Sequence, residues 1–128
     1  VGGYSMSDIS GDKSEMNKGV YDCWILKLDA LGNKIWDRSF GGNDFDGVFD
    51  ITEMDDGTYW VAGQSNSGIS GDKTDACRGG MDYWIVHLSN TGQILKQRTF
   101  GSAQNDYLQS VIPSNTGGYF ACGYTQKC

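Results

Sequence analysis

The sequence predicts an all-β repeat fold, and three observations carry this prediction. The units 1–60 and 61–120 align without a gap and are identical at 21 of 60 positions, and a third unit begins at 121–128. Apolar residues fall in short segments, several of them alternating with polar residues, as is typical of strands. The chain also has 19 glycines in 128 residues, about twice the usual share of roughly 7%.

Each unit contains four strand-like segments. The first is 24–28, repeated at 84–88, and its alternation places Trp24, Leu26 and Leu28 on one face. Residues 34–40, 47–54 and 59–63 form the other three. The turns between them contain glycine where a positive φ is needed, at 29–33 and 55–57 and at their repeats 89–93 and 115–117. No segment has an apolar period of 3.6 long enough to predict a helix.

Each unit has four antiparallel strands and cannot bury both of its faces alone. This combination predicts a β-propeller-type repeat. We expect about two four-stranded antiparallel blades of 60 residues each, plus the last strand of a preceding blade. The whole chain, 1–128, is then a partial propeller. A β-solenoid and an eight-stranded sandwich are the alternatives, but a sandwich gives no reason for equivalent positions to recur every 60 residues.

Composition and charge exclude several classes of protein. The formal net charge is −6 and the pI is about 4.5, with lysine and arginine scattered singly, which argues against nucleic acid and anionic membranes as partners. No apolar run approaches the ~18 residues of a membrane-spanning helix. The chain begins at Val1 and shows no signal peptide, so we expect a mature or excised piece.

The loop 68–74 does not match a phosphate-binding loop, because Asp72 stands where a glycine should precede the lysine and no helix follows. The loop 8–15 places side-chain oxygens at alternating positions, as a calcium loop does. Asp12 and its repeat Asp72 are therefore the candidate calcium ligands, the one cofactor the sequence suggests. The alternative is a loop whose Asp and Ser side chains bond its own backbone.

Catalysis has no positional support in the sequence. The single histidine, His87, excludes a Ser-His-Asp triad or a His-rich metal site within this chain, and its alternation places it opposite Trp84 as a surface or inter-blade residue. Trp24 and Trp84 could be sugar-stacking platforms, but their position in the most apolar strand predicts inter-blade core. The sequence therefore predicts a protein that is not an enzyme.

The negative charge is predicted to gather at one end of the fold. In alternating strands, the long loops and the connections 41–46 and 101–106 emerge on the same face, and long loops on a rigid scaffold are a common place for binding. A solvated face without a ligand is the alternative. The acids of this face are Asp8, Asp12, Asp22, Asp44, Asp46, Asp72, Asp75, Asp82, Asp106 and Glu15, against Lys13, Lys18, Lys73 and Arg78.

Two stretches of the second unit carry a family resemblance, SNSGISGDKT at 65–74 and GGMDYWIV at 79–86. They resemble the repeats of secreted, cell-surface β-propeller proteins of Bacteroidetes-type bacteria, which commonly end in a type IX secretion sorting domain. The resemblance covers essentially the whole chain and implies an extracellular or cell-surface scaffold without shared catalytic residues. This sequence lacks a sorting domain and has cysteines where the pattern has other residues.

An extracellular location would allow the four cysteines to pair, in any of three connectivities. We expect Cys23 to pair with Cys77, because both lie at the entry to equivalent strands. Cys122 and Cys128 straddle the end of the last strand, and their partners could lie outside this chain.

The predicted function is a binding or structural scaffold for a carbohydrate or protein ligand at a cell surface, within a larger secreted protein. The alternatives are a non-catalytic part of a secreted enzyme and a two-blade lectin-like subunit. Two blades do not close a propeller. We therefore expect the remainder of a parent chain, or self-association, to complete the ring.

Overall fold

The computed structural model describes residues 1–127, which form antiparallel strands joined by turns and loops. The all-β prediction is confirmed. The strands are β1 (Gly2–Ser5), β2 (Asp22–Leu28), β3 (Lys34–Phe40), β4 (Asp46–Glu53), β5 (Tyr59–Ser65), β6 (Asp82–Leu88), β7 (Ile94–Phe100), β8 (Asn105–Pro113) and β9 (Tyr119–Gln126).

These strands form three sheets that follow one another along the chain. Sheet 1 has the order β1-β2-β3, sheet 2 the order β4-β5-β6-β7, and sheet 3 the order β8-β9. Tight turns join β2 to β3 and β6 to β7, and each contains a glycine with positive φ, 85° at Gly32 and 80° at Gly92. An L residue rarely adopts this conformation, which explains the glycine at both positions.

The sheets are offset from the predicted grouping of strands. The sequence placed the four segments from 24 to 63 in one blade, but β3 and β4 belong to different sheets, while β5 and β6 pair along seven residues. The connection 41–45 does not form a hairpin because the following loop holds it. Backbone N–H groups of Asn43 and Asp44 donate to the hydroxyls of Ser70 and Ser67, both at 2.9 Å.

An apolar core lies between sheets 1 and 2. Trp84 is fully buried there, and its ring meets that of Phe40 in a T-shaped contact with centroids 5.6 Å apart. A second core lies between sheets 2 and 3 and contains Ile85 and Leu108. Alternation along β6 thus sends Trp84 to one core and Ile85 to the other. The first core comprises Cys23, Ile25, Phe40, Val48, Tyr59, Val61, Trp84, Val86 and Leu88.

The prediction of a core position is confirmed for Trp84 and is wrong for Trp24. Cys23 and Ile25 of β2 face sheet 2, so Trp24 lies on the opposite, outer face of sheet 1. It is half-buried, and its indole N–H donates to a carboxylate oxygen of Asp37 at 3.2 Å. The two tryptophans differ because sheet 1 packs against Trp84, whereas no sheet within residues 1–127 packs against Trp24.

The predicted Cys23–Cys77 disulfide is not formed, and among residues 1–127 the thiols of Cys23, Cys77 and Cys122 are free. Cys23 is 1% exposed in the first core, where burial raises the pKa of its thiol well above the usual value. The Cys77 thiol instead donates to the carbonyl of Ser65 at 2.9 Å. Cys23 and Cys77 thus lie in different surroundings. Cys128 lies outside the described residues.

Within residues 1–127 there is no helix long and apolar enough to cross a membrane.

Candidate functional site

The long loops 6–21 and 66–81 and the connections 41–45 and 101–104 meet at one end of the sheets, here called the loop face. Backbone bonds join three of these segments: Tyr21 N–H donates to the carbonyl of Asp44 at 3.3 Å, and Asn66 N–H to that of Phe45 at 3.1 Å. The connection 41–45 is therefore held by both long loops.

Four aspartates of the loop face are buried rather than presented to solvent, each at most 5% exposed. Each accepts a hydrogen bond from the backbone N–H four residues earlier and thereby closes a loop. The donors are Lys18 for Asp22 at 2.7 Å, Gly42 for Asp46 at 2.7 Å, Arg78 for Asp82 at 2.5 Å and Ser102 for Asp106 at 2.6 Å. The exposed charge of this face is smaller than the sequence predicted.

Burial changes the acidity of these carboxyl groups. It raises the pKa of Asp22 and of Asp82, because a carboxylate loses hydration inside the protein, and the nearby charge of Asp46 adds to the effect at Asp22. The pKa of Asp106 is instead lowered, chiefly by the hydroxyl of Thr125, which donates to its carboxylate. These groups stabilise loops, and a ligand would not reach them.

The repeated lysines Lys13 and Lys73 are also buried, at 3% and 1% exposed. The Lys73 ammonium donates to the hydroxyl of Thr99 at 2.6 Å and to the carbonyl of Asp75, and lies 5.5 Å from the centre of the Trp84 ring. Burial lowers the pKa of Lys73. The repeated motif at 70–73 therefore anchors a loop, a role that the sequence analysis missed although the identity of both positions signalled it.

The two candidate calcium ligands lie on separate loops. A carboxylate oxygen of Asp72 accepts from the N–H of Gly41 at 3.2 Å and lies 3.1 Å from the Lys18 ammonium, whereas Asp12 is exposed. Within residues 1–127, no three His, Cys, Asp or Glu side chains form a group that could hold a metal ion. Calcium binding at Asp12 and Asp72 stays a prediction that rests on the sequence alone.

His87 lies on the face of β6 opposite Trp84, as its alternation predicts. Its ring stacks on Trp60 with centroids 4.3 Å apart, and Nε2 lies 2.9 Å from the hydroxyl of Thr58. The Trp60 ring also contacts Tyr119 of sheet 3 at 4.3 Å. His87 therefore supports Trp60, and it is Trp60 that contacts sheet 3.

Four aromatic side chains meet at the loop face and form what we call the aromatic cluster: Tyr4, Tyr21, Phe45 and Phe49. The Tyr4 ring is central, with centroids 5.6 Å from Tyr21, 5.2 Å from Phe45 and 6.4 Å from Phe49. Tyr4 is 51% exposed and Phe49 is 45% exposed. The cluster is thus an open aromatic surface supported by strands from sheets 1 and 2.

The aromatic cluster has no counterpart in the second unit. The positions 60 residues later are held by Gln64, Met81, Asn105 and Gln109. The fold therefore does not require aromatic rings at these four positions. The sequence analysis missed the cluster because its members are 45 residues apart at the extremes and become neighbours only when β1 packs on β4.

A cavity of about 510 Å³ lies between sheets 1 and 2 at the end opposite the loop face. Apolar side chains such as Ile51 and Trp36 line it, and its rim carries a polar group of three. There the Glu53 carboxylate accepts from the Lys27 ammonium and the Tyr59 hydroxyl, both at 3.1 Å. Because these polar groups bond one another, the cavity offers a ligand few free partners.

No protein-family model and no curated protein matches this chain.

Proposed function

We propose that this chain is a carbohydrate-binding module of the β-propeller type at a cell surface or outside the cell, and that it binds through the aromatic cluster. Three successive sheets built on a 60-residue repeat support the propeller arrangement. The family resemblance of the stretches 65–74 and 79–86 supports the location.

The exposure of the aromatic cluster is the observation that carries the proposal. A tyrosine and a phenylalanine each about half exposed, 6.4 Å apart and tilted by 36°, present apolar ring surface to solvent. Contiguous exposed apolar surface of this kind marks binding sites, and aromatic rings with a polar edge suit ligands that are apolar on one face and polar at the rim. The apolar C–H face and hydroxyl rim of a pyranose meet both requirements.

The surroundings of the cluster favour a sugar over a charged polymer. Asp44 directly precedes Phe45 in the connection 41–45, and its carboxylate can accept hydrogen bonds from hydroxyl groups. The net charge of −6 repels nucleic acid. A neutral or hydroxyl-rich glycan is therefore the ligand class that the chemistry of the loop face fits.

Binding to a panel of immobilised glycans tests the proposal. We expect Tyr4→Ala and Phe49→Ala each to weaken binding of the best glycan by about tenfold, the effect of losing one well-placed aromatic contact. Phe120→Ala is the matched control, because Phe120 is 65% exposed and lies on sheet 3 outside the cluster.

Circular dichroism of the variants would establish that they remain folded. Equal loss of binding in all three variants, or binding that survives at both cluster positions, would overturn the assignment to the aromatic cluster. Failure of the unmodified chain to bind any glycan would leave a protein ligand as the next candidate.

A further inference from the structure

Two members of the aromatic cluster are each followed in the chain by a buried acid. Asp22 follows Tyr21, and Asp46 follows Phe45. The two segments are joined, since Asp46 N–H donates to the carbonyl of Tyr21 at 2.7 Å, and the rings of Tyr21 and Phe45 have centroids 5.8 Å apart. We call Asp22 and Asp46 the acid pair. A change in the spacing of the acid pair would therefore change the spacing of the two rings.

The carboxyl groups of the acid pair flank Gly41. A Cβ at Gly41 would lie 2.6 Å from Oδ1 of Asp22 and 3.0 Å from Oδ2 of Asp46, which explains the glycine. Both acids are 0% exposed. Ionisation of both is unfavourable, because each carboxylate loses hydration inside the protein and each repels the other.

Each acid of the pair has one oxygen without a partner. Oδ2 of Asp22 accepts from the N–H of Lys18 at 2.7 Å. Oδ2 of Asp46 accepts from the N–H of Gly42 and the hydroxyl of Ser67, both at 2.7 Å. Among the described residues, Oδ1 of neither acid has a hydrogen-bond partner. A proton on the pair would turn one of these acceptors into a donor, which is the group that the pair lacks.

The equivalent pair of the second unit, Asp82 and Asp106, already has a donor. The hydroxyl of Thr125 donates to Oδ1 of Asp106. Ser65 holds the position of Thr125 in the first unit, and within residues 1–127 it makes no hydrogen bond to Asp46. The acid pair therefore has two unpartnered oxygens where the pair of the second unit has one, Oδ1 of Asp82.

The charges around the acid pair do not balance it. Burial raises the pKa of Asp22 and the charge of Asp46 raises it further, while the N–H and the ammonium of Lys18 oppose both effects. That ammonium also lies 3.1 Å from Asp72. The three aspartates and the two lysines of this region leave at least one negative charge in excess, since burial raises the pKa of both thiols and keeps them neutral. The other titratable groups that face these residues are Cys23, Lys73 and Cys77.

We propose that the acid pair binds one proton, and that this proton tightens the aromatic cluster and strengthens glycan binding as the pH falls. Without the proton, two buried charges repel each other beneath the rings of Tyr21 and Phe45. With it, one carboxyl donates where no donor was present, and the two segments are held together. The inference deepens the proposed function and rests on it for the ligand, whereas the effect on the rings requires no glycan.

The sign of the pH dependence follows from the direction of the shift. Because the pKa of Asp22 is raised in the folded chain, its protonated form favours the folded arrangement. This contribution is complete below the ordinary pKa of an aspartate, about 3.9, and is lost as the pH rises through the raised value. The cluster should therefore be tightest in mild acid and looser at neutral pH.

NMR spectroscopy of the full chain without glycan tests the proton site and its effect on the rings. We follow the carboxyl carbon of Asp22 and the ring signals of Tyr21 and Phe45 from about pH 4 to about pH 8. We expect Asp22 to titrate above the ordinary value, and both rings to shift with the same midpoint.

Asp22→Asn is the decisive variant, because its amide supplies a permanent donor and carries no charge. Its ring signals should no longer follow the pH. Its affinity for the best-binding immobilised glycan at about pH 8 should rise about fivefold, to the level of the unmodified chain in mild acid. A gain of affinity cannot come from a loss of folding. Asp82→Asn is the matched control, since Asp82 is the equivalent buried acid of the second unit, and it should keep the pH dependence of the rings.

Several results would overturn the inference. One is an Asp22 carboxyl that titrates at or below the ordinary value. Another is a pair of rings, Tyr21 and Phe45, whose signals do not follow it. A third is an Asp82→Asn variant that removes the pH dependence as Asp22→Asn does. If no glycan binds, the proposed function fails, and the ring titration still decides whether a proton on the acid pair tightens the cluster.

Discussion

Trp24 and Trp84 occupy one position of the repeat and have different surroundings. Trp84 is fully buried between two sheets, and Trp24 lies on a face that no sheet of the described residues covers. Their indole N–H groups nevertheless find equivalent acceptors, Asp37 and Gln97 on the neighbouring strand. The repeat determines that both positions carry tryptophan. The contribution of each ring to the free energy of unfolding depends instead on whether a sheet packs against it.

We therefore predict unequal effects of removing the two rings. Trp84→Ala should reduce the free energy of unfolding by about 3 to 5 kcal/mol, as deletion of a buried aromatic side chain does. Trp24→Ala should cost less than half as much in the dilute chain. Denaturation midpoints of the two variants measure the difference, and equal losses would show that Trp24 is covered in solution.

The residues of the loop face show what the sequence could reveal. Alternation correctly placed His87 opposite Trp84, and the repeat showed that positions 12–13 and 72–73 are identical in the two units. The identity of Lys13 and Lys73 signalled a shared role, but their burial could not be predicted, because a lysine is ordinarily exposed and burial depends on carbonyl and hydroxyl acceptors brought together by the fold. The aromatic cluster could not be predicted from the sequence for the same reason, since only tertiary packing brings its members together.

At the scale of the strand, the sequence predicted every segment within a few residues but misjudged which strands pair. The five residues between β3 and β4 are short enough for a hairpin, and the sixteen between β5 and β6 are not. The structure reverses this expectation because side chains of the long loop bond the short connection. Contacts between loops favour the pairing of β5 with β6 over that of β3 with β4. The periodicity of the strands contains no information about such contacts.

Pairing between β4 and β5 leads to a prediction at Gly63. Gly63→Ala should destabilise the chain by about 1 to 3 kcal/mol, because the added methyl group would meet backbone carbonyls of Gly47 at 2.9 Å and Trp84 at 3.1 Å. Gly3→Ala is the matched substitution, with nothing within 4 Å, and should change the stability of the dilute chain by less than about 0.5 kcal/mol. Thermal melts compare them, and similar shifts would contradict the assigned pairing.

At the scale of the whole molecule, the sheets are joined by apolar cores and by the loops above them. The long loop of sheet 2 makes two hydrogen bonds to the end of sheet 1, since Asp72 N–H donates to the carbonyl of Gly41 at 2.8 Å and the Asp72 carboxylate accepts from the Gly41 N–H at 3.2 Å. Lys18 adds an ion pair. Asp72, one of the two predicted calcium ligands, therefore also links the two sheets.

This link predicts different outcomes at the two candidate ligands. Asp72→Ala should lower the free energy of unfolding by about 0.5 to 1.5 kcal/mol, because it removes a hydrogen bond and a partly exposed ion pair. Asp12→Ala should change it by less than about 0.5 kcal/mol, since Asp12 is exposed. Melts in chelator measure both effects, and a large effect at Asp12 under these conditions would contradict the structure.

The burial of Lys13 and Lys73 has a consequence for chemical labelling. An amine-reactive reagent needs an accessible, unprotonated amino group, and both ammonium groups are at most 3% exposed beneath their loops. The exposed lysines should therefore acylate at once, whereas these two should react only when a loop opens. The rate of the slow phase of acylation would then report the rate of loop opening. Mass spectrometry would measure it separately at Lys13 and at Lys73.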